Sequence, residues 1–220
     1  MRKGLKRSNP TINFYNQLAA NYDAEQDEER FAFVRLPEWE RVLSTYPKLL
    51  NKSITVLEIG AGTGRFTVEM APYVKKVVAV DISDKMLNQM ETKLKKKNIK
   101  NVQIIHDPFL DVDFTETFDL IVSFSAIEYI QDTQSLFKKI SDLCTPGGKI
   151  MITTAHNTFF RLFGRLGNYF RQKVYMNAFT KKEIRSLLGT NGLQLDVLED
   201  LSLKTWLTKG ILLFILAHKD

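Results

Sequence analysis

An α/β fold built on a mostly parallel sheet is what this sequence of 220 residues predicts. Short runs rich in β-branched residues alternate with segments whose apolar residues recur at helical spacing, which is typical of strand–helix–strand units. The hydrophobic content of 44% and the charged content of 25% are sufficient for one sizeable core. No internal repeat and no linker rich in Pro, Gly or Ser interrupts the chain, so we expect one domain over residues 1–220.

Seven strands are predicted, at 54–59, 77–80, 102–105, 120–124, 149–154, 193–198 and 211–218. Helices are predicted at 65–74, 83–97, 132–143 and 180–191, the first three between successive early strands. Strands joined in this way are parallel and connected by right-handed crossovers. The interval 202–210 is too short for a crossover with its helix, which needs at least ~10 to 12 residues. We therefore expect the last strand to be antiparallel.

Composition indicates the compartment. Cys144 is the single cysteine, so no intrachain disulfide can form and a reducing, cytoplasmic location is expected. The longest apolar run, 211–217, has seven residues, whereas a membrane-spanning helix needs roughly 20. The basic N-terminus, MRKGLKRSNP, has no apolar core of the kind found in secretory signals, so export is not expected.

Three glycines, Gly60, Gly62 and Gly64, alternate where the first predicted strand gives way to a helix. Glycine there permits positive φ and close approach of a ligand to the backbone. Position 65 is Arg, so the dinucleotide fingerprint G-x-G-x-x-G is not met, and no G-K-[ST] of a P-loop follows. Asp81 ends the second strand, where a carboxylate can accept hydrogen bonds from both hydroxyls of a ribose. The loop and the acid together indicate a ligand of the adenosine type.

The segment EIGAGTG at 58–64, followed by Asp81, resembles the first motifs of class I S-adenosylmethionine (SAM) dependent methyltransferases. Three later segments are similar to that family as well: IIHDPF at 104–109, FDLIVSF at 118–124 and LCTPGGK at 143–149. The resemblance implies a three-layer Rossmann-like sheet of order 3-2-1-4-5-7-6 with strand 7 antiparallel. It also implies SAM as cofactor, S-adenosylhomocysteine (SAH) as product, and lid helices within residues 1–50.

The resemblance further implies which residues contact the cofactor. The loop at Gly60, Ala61 and Gly62 would pass under the methionine part of SAM, and Asp81 would bind the ribose. Ile82 and Met86 would sandwich the adenine beside Pro108, Asp107 would accept from its amino group, and the backbone at Ser123 and Phe124 would face the amino-acid end. In the lid, Tyr22 and Arg35 are candidates, Arg35 by pairing with the carboxylate of SAM. Glu58 would fix the loop or the lid through hydrogen bonds.

Simpler interpretations of several of these residues stay open. Met86 suits the core of a helix as well as the flat face of adenine. Asp107 precedes Pro108 and could only begin a turn. Arg35 could be an ordinary surface charge.

Methyl transfer from a sulfonium mainly requires alignment of the reactants and exclusion of water. A hydroxyl or phenol acceptor benefits further from a base, typically by about 10²- to 10⁴-fold. Glu128 follows the fourth strand at the ligand-binding edge, and His156 follows the fifth, so both are candidate bases, although Glu128 could equally be structural. No cluster of Cys, His and carboxylates has the spacing of metal ligands, so no metal is expected.

A basic insertion at 155–178 is the other unusual feature. From 149 to 185 the chain has eight basic residues and one acid, within an overall charge of +6. Aromatic and apolar residues recur at helical spacing in 158–173, which suits peripheral contact with anionic lipid, a lid over an apolar pocket, or ordinary packing of a cap helix.

The insertion is similar to that of the quinone-precursor methylases, although Tyr129 stands where those enzymes usually have His. We therefore expect a monomer or homodimer that methylates a small-molecule acceptor, amphiphilic or lipid-like in character. RNA is an alternative acceptor, disfavoured because Ser-Phe-Ser-Ala at 123–126 replaces the Asn-Pro-Pro-Tyr type of signature. A SAM-binding module without transferase activity is the other alternative.

Overall fold

A seven-stranded sheet forms the centre of the protein, seen in a computed structural model that describes residues 10–158, 174–201 and 210–220. Its strands are β1 Thr55–Ile59, β2 Lys76–Asp81, β3 Val102–His106, β4 Phe118–Phe124, β5 Cys144–Ala155, β6 Leu193–Leu201 and β7 Leu212–Lys219. They lie in the order β3-β2-β1-β4-β5-β7-β6, with β1 to β5 parallel. β7 is antiparallel to both β5 and β6. The predicted strand order and direction are confirmed.

The helices are α1 Pro10–Leu18, α2 Tyr22–Asp27, α3 Glu29–Leu49, α4 Thr67–Met70, α5 Asp84–Lys96, α6 Thr133–Leu143 and α7 Lys181–Thr190. Short 3₁₀ helices lie at Ala71–Tyr73, Phe109–Asp111 and Ile127–Tyr129. Side chains cap three of the predicted helices: Ser83 caps α5, Asp132 caps α6, and Thr180 with Glu183 forms a capping box on α7.

Two predicted boundaries are wrong by four residues or more. The helix expected at 65–74 is a four-residue α4 followed by a 3₁₀ turn, because Pro72 has no N–H to continue the helical ladder. β5 begins at Cys144, not at 149, since Cys144 pairs with Phe118. The register then shifts, and Lys149 pairs with Leu120 across an irregular Pro-Gly-Gly segment.

Alternate strand residues face two separate apolar clusters, which makes the fold three-layered. On one face, Leu57, Ile121 and Ile152 join residues of α6 and α7. On the other face, Val56 and Val122 join residues of α3, α4 and α5. Parallel strands buried on both faces are the reason why the sequence runs are continuously apolar.

Most of the predicted amphipathic segment, residues 159–173, lies outside the described residues, so its proposed contact with lipid or substrate stays a prediction. A helix capable of crossing a bilayer is absent from residues 10–158, 174–201 and 210–220.

Candidate functional site

Two adjoining cavities lie where the central parallel strands end. The larger has a volume of about 240 Å³ and the smaller about 60 Å³. Both are lined by Tyr22, Gly60, Gly62, Phe124 and Ser125. The glycine loop therefore forms part of the wall between them, at the edge where ligands bind in open α/β sheets.

The glycine loop is fixed from two sides. The amides of Gly60 and Ala61 donate to the Val80 carbonyl of β2 at 2.8 and 3.1 Å. Gly60 has φ of +73°, and a Cβ atom built there would lie 2.2 Å from the Cβ of Ala126. Glycine is thus required at position 60 both by the backbone conformation and by the close approach of the β4 loop.

Asp81 connects the glycine loop to the end of β2. Its Oδ2 accepts from the amide of Gly62 and its Oδ1 from the amide of Ser83, each at 2.8 Å. Burial raises the pKa of Asp81, and hydrogen bonds from the backbone of Ser83, Gly62 and Ile82 oppose that rise. These backbone contacts hold the carboxylate in place. Asp81 lines the larger cavity, where a carboxylate fits the hydroxyls of a ribose.

The residues predicted to surround adenine lie together along the larger cavity: Ile82, Met86, Asp107 and Pro108. Met86 is only 1% exposed, so it belongs to the core and lines the cavity at once. Pro108 begins a turn in which its carbonyl accepts from the amide of Asp111 at 2.9 Å. The apolar and acidic residues present here fit an adenine ring with an exocyclic amino group.

Glu58 is buried at the end of β1 and lines the smaller cavity beside Ala61. Burial raises its pKa to about 8, an effect that the hydrogen bond from Thr67 partly offsets. The Thr67 hydroxyl donates to its Oε2 at 2.5 Å. This contact joins β1 to the first residue of α4 on either side of the glycine loop.

Arg35 is not a free surface charge, because its guanidinium is part of a polar cluster at the smaller cavity. Its Nη1 donates to Oε2 of Glu38 at 2.8 Å and to Oγ of Ser125 at 3.1 Å. Ser125 donates in turn to Oε1 of Glu38 at 2.7 Å, and Thr153 also donates to that oxygen. Burial by itself would lower the pKa of Arg35, but Glu38 together with Tyr22 and Tyr15 brings the pKa above its ordinary value.

The sequence did not predict that Glu38 and Ser125 belong to the site. Glu38 is 2% exposed and stands three residues after Arg35 on α3, a spacing that could have indicated the ion pair. Ser125 has φ of +49°, which is uncommon outside glycine, and occupies both cavity walls. Nothing in the sequence indicates that these two residues meet.

Three tyrosines cover the larger cavity. The ring of Tyr15 lies 6.2 Å from that of Tyr22 and 5.4 Å from that of Tyr129, both edge-on. Burial raises the pKa of all three phenols, that of Tyr129 to about 12. They are therefore neutral near pH 7. The sequence singled out Tyr22 but not Tyr15.

The remaining predicted residues lie outside the lining of both cavities. Ser123 is buried and donates through Oγ to the Ile59 carbonyl at 2.8 Å. Glu128 is 1% exposed and accepts from the Thr154 hydroxyl at 3.0 Å. His156 has Nδ1 3.2 Å from Asp200, which also binds Lys181. The predicted roles of all three stay predictions.

No group of three or more His, Cys, Asp or Glu side chains could hold a metal ion in the part of the chain that the structure describes.

Comparison with known proteins agrees with this geometry. A family model described as a methyltransferase domain matches residues 50–192, more than half of the chain. The chain belongs to this methyltransferase family. Its sheet has the strand order that the resemblance implied, and methyltransferases of known structure share its fold.

Individual relatives are more distant. A malonyl-[acyl-carrier protein] O-methyltransferase of Priestia megaterium is 27% identical, over 73% of this chain and 56% of its own length. The N-methyltransferase NodS of Bradyrhizobium japonicum, in complex with SAH, superposes with a TM-score of 0.74 at 19% identity, over 96% of this chain and 99% of NodS. Magnesium protoporphyrin IX methyltransferase of Synechocystis PCC 6803, with bound SAH, gives a TM-score of 0.74 at 15% identity, over 96% and 98%. The first curated relatives are matched over only 39% to 66% of their own lengths.

Proposed function

We propose that this methyltransferase-family protein transfers a methyl group from SAM to a small-molecule acceptor. The observation that carries the proposal is the Asp81 carboxylate. Backbone amides of Gly62 and Ser83 hold this carboxylate at the end of β2, where it lines the larger cavity and can accept hydrogen bonds from the hydroxyls of a ribose. When bound, SAM supplies an electrophilic methyl group on its sulfonium sulfur.

Different residues of the two cavities bind different parts of the donor. The backbone of Gly60 to Gly62 lets the ligand approach closely, and Asp107 accepts from the adenine amino group. Arg35 pairs with the amino-acid carboxylate while Glu38 and Ser125 fix its guanidinium. The half-buried rings of Tyr15, Tyr22 and Tyr129 exclude water, which strengthens these polar contacts.

The acceptor occupies the larger cavity beside the donor. Thr11, Ile12, Tyr15, Tyr129 and Ile130 line this cavity as well, so an acceptor meets an apolar wall bearing neutral phenols. That environment favours a small molecule with an apolar body, which supports the amphiphilic class. Catalysis then depends mainly on alignment. Of the two predicted bases, Glu128 is the one adjacent in sequence to Tyr129, which lines this cavity.

Binding of the donor is tested by calorimetry with SAH on three proteins. Asp81→Asn replaces one carboxylate oxygen by an amide group that cannot accept, so we expect the Kd to rise at least about tenfold. Asp84→Asn changes the same residue type three positions away, where it is exposed, and should bind like the wild type. Wild-type protein that takes up no SAH, or an Asp81→Asn variant that binds it equally well, would refute the proposal.

Transfer is tested separately, with SAM labelled in the methyl group and a panel of phenolic, amino and carboxylate acceptors beside total RNA. We expect label in the small molecules. Label in RNA would establish the alternative acceptor, and binding of SAH without transfer to any acceptor would favour a binding module.

A further inference from the structure

The Lys139 ammonium lies under the loop that follows β3. Its Nζ donates to the carbonyls of Phe109, Leu110 and Val112 at 2.9, 3.0 and 2.6 Å. A lysine ammonium has three N–H donors, so all of them are directed at one short stretch of backbone. Lys139 belongs to α6, on the other side of β4 in the sequence.

The loop in question forms a wall of the larger cavity. Asp107, Pro108, Phe109 and Leu110 all line it, whereas Lys139 does not. The loop contains a single 3₁₀ turn, with the amides of Asp111 and Val112 donating to Pro108 and Phe109 at 2.9 and 3.4 Å. Such a short turn has little stability of its own. Its position depends on contacts made from outside the loop.

Aromatic contacts connect Lys139 and the loop to the buried core. The Lys139 ammonium lies 5.1 Å from the ring centre of Phe109 and 5.3 Å from that of Phe114. Phe114 in turn contacts Phe109 and the fully buried Phe118 of β4. Burial lowers the pKa of Lys139, and the carboxylates of Asp113 and Asp111 oppose that change. Both acids favour the charged form that the carbonyls require.

We propose that Lys139 is a positioning residue for the nucleoside base: it fixes the Asp107–Leu110 wall so that Asp107 and Pro108 meet the adenine. The inference rests on the proposed function, since it takes the donor to be SAM. Lys139 lies outside the cavity and by this inference still contributes to the affinity for the donor. A merely structural lysine would affect stability and leave the contribution of Asp107 to binding unchanged.

The first test compares two neighbouring lysines by calorimetry with SAH. Lys139→Met keeps the apolar stem and removes all three donors, so we expect the Kd to rise about tenfold. Lys138→Met is the matched control, because Lys138 is on the same helix, is exposed and pairs with the exposed Asp142. Lys138→Met should bind SAH like the wild type.

Lys139→Arg keeps the charge and the donors, but a planar guanidinium matches three convergent carbonyls less well. We expect it to recover part of the affinity, with a Kd about two- to fourfold above that of the wild type. Equal affinity of Lys139→Met and wild-type protein would overturn the inference.

The second test asks whether Lys139 acts through Asp107. In a double-mutant cycle, Asp107→Ala should weaken SAH binding less in the Lys139→Met background than in the wild type, because the wall is already displaced. Fully additive losses would contradict the proposed role.

Amide hydrogen exchange without ligand completes the test. Residues 107–112 should exchange faster in Lys139→Met than in Lys138→Met, and equal exchange would show that the lysine does not restrain the loop. Failure of wild-type protein to bind SAH would instead refute the proposed function and the adenine role with it, while the exchange experiment would still decide whether the restraint exists.

Discussion

Glu58 is a carboxyl group buried at the point where β1 meets the glycine loop, and its pKa of about 8 has a consequence for stability. In the unfolded chain the same group titrates near its ordinary value of 4.5. Between these values the folded protein keeps a proton that the unfolded chain releases, so unfolding becomes easier as the pH rises. Below pH 4.5 the group is protonated in both the folded and the unfolded state, and it contributes nothing to the pH dependence of stability.

Glu58→Gln should therefore remove a pH dependence of folding. Relative to the variant, the wild type should lose up to about 1.4 kcal/mol of unfolding free energy per pH unit between pH 5 and pH 8. Urea unfolding at pH 5, 6.5 and 8 measures the difference. Glu91→Gln, which changes an exposed glutamate of α5, is the control and should retain the wild-type slope. Parallel curves for wild type and Glu58→Gln would contradict the prediction.

Gly60 and Gly62 both have positive φ, but they differ in the space available for a side chain. A Cβ at Gly62 meets nothing within 4 Å, so Gly62→Ala should cost only the backbone strain of about 1–2 kcal/mol. Gly60→Ala adds a clash with Ala126 and should destabilise the fold more, as measured by thermal unfolding. Because Ala126→Gly removes the clashing atom, the double variant should recover part of the loss. No recovery would show that the clash is not the cause.

At the scale of elements, the short helix α2 is attached to the glycine loop mainly by polar contacts. Its residues are half-buried or exposed, and none is fully buried. Asp23 accepts from the Thr63 hydroxyl at 2.6 Å and also contacts the Lys93 ammonium, while Asp27 pairs with Arg65 at 2.9 Å. The position of α2, which is predicted to belong to the lid, therefore depends on contacts with the same loop that is proposed to bind the donor.

Asp23→Ala should accelerate dissociation of SAH about fivefold, because α2 loses two of its contacts with the rest of the protein. Stopped-flow displacement gives the rate, and amide exchange should show faster opening of Tyr22–Asp27. Glu40→Ala removes an exposed acid from α3 and should change neither measurement. An unchanged dissociation rate would mean that α2 does not retain the ligand.

At the scale of the whole molecule, the N-terminal helices and the sheet share one core. Val42 and Tyr46 of α3 are buried in the same apolar cluster as residues of β1, β4 and β7. Arg41 contacts Glu199 of β6 and lies 4.2 Å from the ring centre of Phe214 in β7. Contacts distributed in this way couple α3 to the edge of the sheet.

We accordingly expect the chain to unfold in a single cooperative transition. Trp206→Phe leaves Trp39 on α3 as the only tryptophan, since the sequence contains two. Its fluorescence should report the same urea midpoint as circular dichroism of the whole chain. SAH at 100 times its Kd should raise the unfolding free energy by about 2.7 kcal/mol. An earlier transition of Trp39 would show that the N-terminal helices form a separate unit.

Local signals made much of the fold and of the donor site predictable. The positions of the strands and the antiparallel last strand follow from apolar runs, helical periodicity and one connection too short for a crossover, whereas the order of the strands was implied by the resemblance to class I methyltransferases. Ser83, Asp132 and Thr180 cap helices through hydrogen bonds within three residues, a range over which sequence is informative. The glycine loop and Asp81 were likewise identified by spacing, because two adjacent parallel strands end at the same edge.

The sequence by itself determined the family, the sheet and the residues at the ends of β1 and β2. Only the tertiary structure decided that Glu38 lies against Ser125, that Tyr15 covers Tyr129, and that Lys139 supports the loop after β3. Each of these contacts joins residues 27 or more positions apart. Periodicity and capping describe hydrogen bonds and burial within one element, whereas such pairs depend on how separate elements pack together.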